Sequence, residues 1–238
     1  MTPPLARRAS AARALLALAG FAHALLVARH LLALRSIHRI ALDVVPATAS
    51  AVTLLDGALA ALSCLAAALT VAAAVALARW SVELARAGHA AGLAGWYDSP
   101  HALAASWFVP GLHLVYPFHR LATLRRALDA TPPAEPALVA RDDAGYRDPA
   151  RALPVPAAPV AAAPVGRWAA LWIASVALSI VASTARLNPW TEEGVRAATR
   201  LAGSVDALRV LAAVAGVAVV GRLTAAVRAR LPMSSMPS

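Results

Sequence analysis

Residues 100–126 read PHALAASWFVPGLHLVYPFHRLATLRR. The apolar part, His101–Phe118, is 18 residues long and carries Pro110-Gly111 at its centre. A continuous helix through Pro110 would lose a backbone donor and clash with the preceding turn, at a cost of about 3 kcal/mol or more. Two threadings remain for a stretch this apolar: a proline-kinked crossing, or a re-entrant segment whose freed backbone groups are covered by protein. The choice sets whether the chain crosses a membrane an odd or an even number of times.

The sequence around this stretch leaves little doubt about class. Of the 238 residues, 60% are hydrophobic and only 14% charged, with a mean hydropathy of +0.65. Soluble domains run at about 45–50% apolar and about 25% charged. The formal net charge is +10, and all 22 basic residues are arginine. These arginines flank apolar runs and form no stripe interleaved with stacking aromatics, which argues for membrane orientation and against nucleic-acid binding. Cys64 is the only cysteine, so an intramolecular disulfide and a cysteine-rich metal site are both excluded.

Working outward from the central stretch, an all-α polytopic membrane bundle is expected: four transmembrane helices plus one re-entrant or proline-kinked segment. Residues 1–13 form a basic N-terminus, and 14–34 is the first span, which at ~1.5 Å per residue covers ~31 Å, the thickness of the hydrocarbon core. No small-residue cleavage site follows it, so it reads as an uncleaved anchor. Residues 35–56 are a polar connection and 57–78 an uncharged second span. Helical patterning continues over 79–93, where Arg79, Glu83 and Arg86 share a face. After 101–118 and Arg120, Arg125 and Arg126 comes a linker, 129–166, with eight of the seventeen prolines. It cannot bury a core and reads as disordered and locally polyproline-like. Spans at 168–185 and 207–227 complete the membrane domain, joined by a polar connection ending at Asp206.

Placing the N-terminus, 79–100, 119–167 and the C-terminus on one side gathers fifteen arginines there, counting Arg222 at the end of the last span, against five in the connections 35–56 and 186–206. The positive-inside rule then predicts a multi-pass protein of the cell membrane with both termini inside. That assignment requires 101–118 to start and finish on the cytoplasmic side, which favours the re-entrant threading.

Several of these segments resemble the membrane-protein family DUF4328, a domain of unknown function. They are RWSVELARAGHAAGL at Arg79–Leu93, the Ser99-Pro100 pair, SWFVPGLHLVYPFHRLATL at Ser106–Leu124 and WAALW at Trp168–Trp172. The resemblance runs from the second span onward, and the first span fits by position alone. It implies a bacterial integral membrane protein with no established activity. The chain departs from the family pattern at Gly88-His89, His113 and Val115-Tyr116-Pro117, so no site is carried over.

Polar chemistry is concentrated beside the broken segment. A candidate lipid or partner site comprises Arg79, Trp80, Arg86, His89, Trp107, Pro110, His113, Tyr116, Pro117 and His119. The aromatics among them, with Trp96, Tyr97, Phe108 and Phe118, read first as interfacial anchors, as do Trp168 and Trp172 at the entrance of the span that follows the linker. His89, His101, His113 and His119 are spaced by twelve, twelve and six residues, which matches no ligand motif, and no metal or cofactor is expected. His23 and His30 share one face of the first span while the other full spans contain no histidine, which argues against haem. His23 is an ionisable group in mid-span, the kind that faces a bundle interior. Its bland reading is a hydrogen bond to Ser63 or Thr70. No nucleophile elbow, phosphate loop, zinc-protease helix or carboxylate pair is present. The leading expectation is therefore a non-enzymatic scaffold or lipid- or protein-interacting module at the cytoplasmic membrane face, with anionic lipid or a membrane protein as partner. A small transporter or channel using 101–118 is the alternative. A lipid-acting enzyme with His89, His113 or His119 as acid/base is third.

Overall fold

The computed structural model describes residues 3–41, 49–93, 99–109, 111–130, 164–184 and 191–231, with the backbone alone at 3, 36–41 and 49–56. Among the described residues there are six helices and no strand: α1 (Pro3–Ala41), α2 (Ala49–Ala90), α3 (Pro100–Ala105), α4 (Leu112–Ala130), α5 (Val165–Thr184) and α6 (Glu192–Arg228). Four of them, α1, α2, α5 and α6, are long and apolar enough to cross a membrane. These are the four spans read from the sequence. The linker core, 131–163, and Pro110, Trp96 and Tyr97 lie outside the described residues.

Three of the long helices outrun a bilayer. At ~1.5 Å per residue, α1, α2 and α6, of 39, 42 and 37 residues, extend ~55–63 Å. α2 continues through Arg79 to Ala90 and stops at Gly92, whose φ of 64° is open to glycine at little cost; Leu93 N–H then returns to the Gly88 carbonyl at 3.2 Å. The sequence reading of 186–206 as a polar connection needs correction. Residues 192–206 are the first turns of α6, started by Thr191, whose hydroxyl oxygen accepts from Gly194 N–H at 3.1 Å, and by Glu192 and Glu193 in the first turn.

The helices alternate in direction. Along the α1–α6 contact, Arg13 neighbours Gly221, Leu16 neighbours Gly216, Gly20 meets Ala213, and His30 packs on Gly203. Along α5–α6, Trp168 packs on Gly216 and Ser179 accepts from Arg209. Trp80 of α2 donates to Thr224 of α6 at 3.0 Å. The start of α1, the end of α2, the start of α5 and the end of α6 therefore share one end of the bundle. Small residues allow this closeness: a Cβ on Gly20 would lie 2.9 Å from the Ala213 Cβ.

Outside this seam the apolar surface is turned outward. Phe21, Leu31, Leu65, Val71, Ile180 and Val214 are all exposed, and only 11% of the α2 apolar window is buried. In water such a belt would be a large unpartnered patch; in hydrocarbon it is the ordinary surface of a bundle.

The broken stretch folds as helix, turn, helix. α3 ends at Ser106, and the chain turns through Gly111 (φ 81°) into α4, which carries Pro117 internally. This hairpin sits at the shared end, held by Trp107 Nε1–H to Ser81 Oγ at 3.1 Å and by mutual packing of Trp107, Phe118 and Trp168 at centroid separations of 5.0–5.9 Å. Arg230, just past α6, donates to the Leu128 carbonyl of α4. Trp80, Trp107, Phe118 and Trp168 are buried, so the interfacial-anchor reading does not hold for them: their rings fill the junction between hairpin and bundle. Phe108 does face outward.

Candidate functional site

Polar groups meet at the middle of the α1–α6 seam. His23 is 4% exposed and Asp206, almost directly across from it, 6%. His23 Nδ1 lies 2.9 Å from Asp206 Oδ1, and His30 Nε2, two turns further along α1, lies 3.3 Å from Oδ2. One carboxylate thus addresses two imidazoles with separate oxygens. Arg209, one turn after Asp206, comes within 3.6 Å of Oδ1 and also donates to Ser179 Oγ of α5 at 3.2 Å.

Hydrogen-bond direction assigns the His23 protons. The Thr70 hydroxyl donates to the Ala66 carbonyl at 2.8 Å, so it offers a lone pair to His23 Nε2, 3.3 Å away. Nδ1 faces a carboxylate oxygen. Both ring nitrogens sit opposite side-chain oxygens, so a proton on either one is hydrogen-bonded. Burying charge in hydrocarbon is costly unless it is paired and hydrogen-bonded. Here His23, Asp206 and Arg209 supply that pairing to one another.

A cavity of about 60 Å³ opens beside this cluster. His23, Thr70 and Arg209 border it on the polar side, and Leu16, Ala73, Leu77 and Ala213 supply apolar wall. At the hairpin end it reaches Trp107 and His113. Trp172 also lines it, and its buried indole N–H has no hydrogen-bond partner among the described residues.

Of the ten residues of the candidate lipid or partner site read from sequence, Trp107 and His113 are the described ones that come to this cavity. Arg79, His89 and His119 are exposed, Arg86 pairs with Glu83 at 3.0 Å on the surface, Trp80 and Pro117 are buried, and the Arg120 guanidinium stacks over the Tyr116 ring at 5.0 Å. Among the described residues, no group of three His, Cys, Asp or Glu side chains is placed to hold a metal ion. For His23 the sequence offered Ser63 or Thr70; the structure selects Thr70 and adds Asp206, which the sequence reading had left at the edge of a loop. The overlooked signal was the Thr-Glu-Glu helix start at Thr191, which puts Asp206 and Arg209 one turn apart on the continuing helix.

A family model described as "Domain of unknown function (DUF4328)" matches residues 43–225. The chain belongs to this family. The matched stretch begins after α1 and includes Thr70, the hairpin, Trp172, Asp206 and Arg209, so the family region meets the two α1 histidines across the α1–α6 seam. No curated protein and no solved structure matches the chain.

Proposed function

We propose that the protein is a binding module of the cell membrane that admits the head end of a lipid-derived amphipath, a hydrocarbon chain with an oxygen-acceptor head, into the cavity between its spans. The observation that carries this reading is the cavity itself: apolar walls, with Arg209 and the unpartnered Trp172 N–H as donors at a depth where water is scarce. Its make-up, mostly apolar with a few placed polar groups, is that of a ligand site, and its volume of about 60 Å³, against the ~300–1,000 Å³ of a full ligand pocket, suits the head end of such a molecule with the chain lying between helices and lipid.

The hairpin supplies a route. Phe108, Val109, Leu112 and Val115 are 41–62% exposed and form an apolar ridge across the turn, while Arg120, Arg125 and Arg126 follow on α4. Such a segment dips its ridge into a leaflet and keeps its arginines among anionic headgroups. The arginine asymmetry supports a cytoplasmic position for this end, with both termini inside, and the alternating helix directions support an even number of crossings. The hairpin then enters and leaves from the cytoplasmic side, and a ligand reaches Trp107 and His113 laterally from that leaflet.

Native mass spectrometry of protein purified in mild detergent, then loaded with oleate or phosphatidylglycerol, tests the reading. The wild type should retain a stoichiometric adduct, and Ala74→Phe, which fills the cavity wall, should lose most of it. No adduct on the wild type, or an adduct indifferent to Ala74→Phe, overturns it.

A further inference from the structure

The polar cluster divides two spaces. On the far side of Asp206 from the first cavity, α1 and α6 part to form a cleft of about 430 Å³, bordered by His30, Leu34, Thr199, Arg200 and Ser204. The first cavity follows α1 from Leu16 to His23, and the cleft follows it from Val27 to Leu34, so the two lie in succession along the bundle axis. Between them lies the His23–Asp206–His30 cluster, and the two helices approach closely on either side of it, at Gly20 against Ala213 in the cavity wall and at His30 against Gly203 in the cleft wall. Both spaces exceed the ~10–15 Å³ that a single water needs, and both present polar groups to hold it.

We propose that His30, Asp206 and His23 relay protons between the cleft and the cavity, down whatever gradient the membrane holds. A purely structural buried carboxylate needs one good partner. This one has a titratable imidazole on each oxygen, and each imidazole borders a different space. Chains of Asp and His inside a bundle are the usual material of proton paths.

The steps balance without a co-reactant. Water in the cleft protonates His30, and the Nε2–H bond breaks as the proton moves to Asp206 Oδ2. The neutral carboxyl group turns about Cβ–Cγ and passes that proton to the Nδ1 lone pair of His23. The resulting imidazolium turns about Cβ–Cγ, gives the Nδ1 proton to water in the cavity while Nε2 keeps its own, and swings back with Nδ1 again accepting. Every proton entering from the cleft leaves by the cavity, and each group returns to its starting charge. Arg209 lies 3.6 Å from Oδ1 and completes the charged surroundings of the carboxylate. Thr70 from α2, Ser179 from α5, Arg200 from α6 and His113 from α4 are the other polar or charged groups bordering this path or its two ends.

The relay is independent of the amphipath reading, although an occupant of the cavity would displace the water at its exit. Purified protein reconstituted into potassium-loaded liposomes with an internal pH-sensitive dye gives the test, with valinomycin imposing the potential. Wild-type protein should carry protons well above protein-free liposomes. Asp206→Asn and His30→Gln, each first shown to be monodisperse by size exclusion, should cut that flux at least tenfold, while Asp206→Glu, which keeps a carboxylate, should retain a measurable part. Wild-type flux equal to that of empty liposomes overturns the proposal, as does wild-type flux in either folded variant.

Discussion

At the scale of single residues, Asp206 organises more of the interior than any other side chain. Replacing it by leucine leaves His23 and Arg209 facing each other without an anion, and breaking a buried pair in this way costs about 3–5 kcal/mol. Asp206→Asn keeps an acceptor for His23 Nδ1 and should cost clearly less; unfolding midpoints in mixed detergent–SDS micelles would order the two. Glycines give a second, opposite pair. Gly20→Ala forces a Cβ to within 2.9 Å of the Ala213 Cβ and should destabilise by about 1–3 kcal/mol, the usual penalty of overpacking a tight contact. Gly57→Ala meets nothing within 4 Å and should gain up to about 1 kcal/mol of helix propensity. His23 was legible as an interior group because an imidazole in an uninterrupted apolar run has few other places to go. Asp206 was not, because a carboxylate next to an apolar run looks the same whether the helix starts before it or after it.

At the scale of elements, the hairpin is fastened by aromatic rings more than by its own helices. α3 has six residues and α4 a proline inside it, so neither is a strong helix in isolation. Trp107→Phe removes only the hydrogen bond to Ser81 and should cost about 1 kcal/mol, whereas Trp107→Ala also empties the contact with Phe118 and Trp168 and should cost about 3–5 kcal/mol. Limited proteolysis near Gly111 would report this loosening directly: the alanine variant should be cut faster than wild type while the four long helices stay intact. That the segment breaks at Pro110-Gly111 follows from proline chemistry and was readable in the sequence. Which face of each helix is buried was not, because alanine and leucine occupy both faces and leave little amphipathic contrast. Trp80, Trp107 and Trp168 look like interfacial anchors by position, and only the long-range hydrogen bonds and ring contacts move them inside.

At the scale of the whole molecule, four alternating helices bring the start of α1, the end of α2, the start of α5 and the end of α6 to one end, beneath a hairpin that closes the cavity. Apolar length alone fixed the number of long helices. The pairing of α1 with α6, the most distant in sequence, came from glycine contacts that carry no span-like signal. The threading proposed above makes a definite statement about sidedness: it puts His89 at the end of α2 and Ala130 at the end of α4 on the cytoplasmic face, and Glu193 at the start of α6 on the other. Single cysteines at these three positions, in a Cys64→Ala background, can be probed with a membrane-impermeant maleimide in intact cells and in inside-out vesicles. His89→Cys and Ala130→Cys should both be protected in cells and labelled in vesicles, with Glu193→Cys the reverse; labelling of positions 89 and 130 from opposite sides would contradict the account.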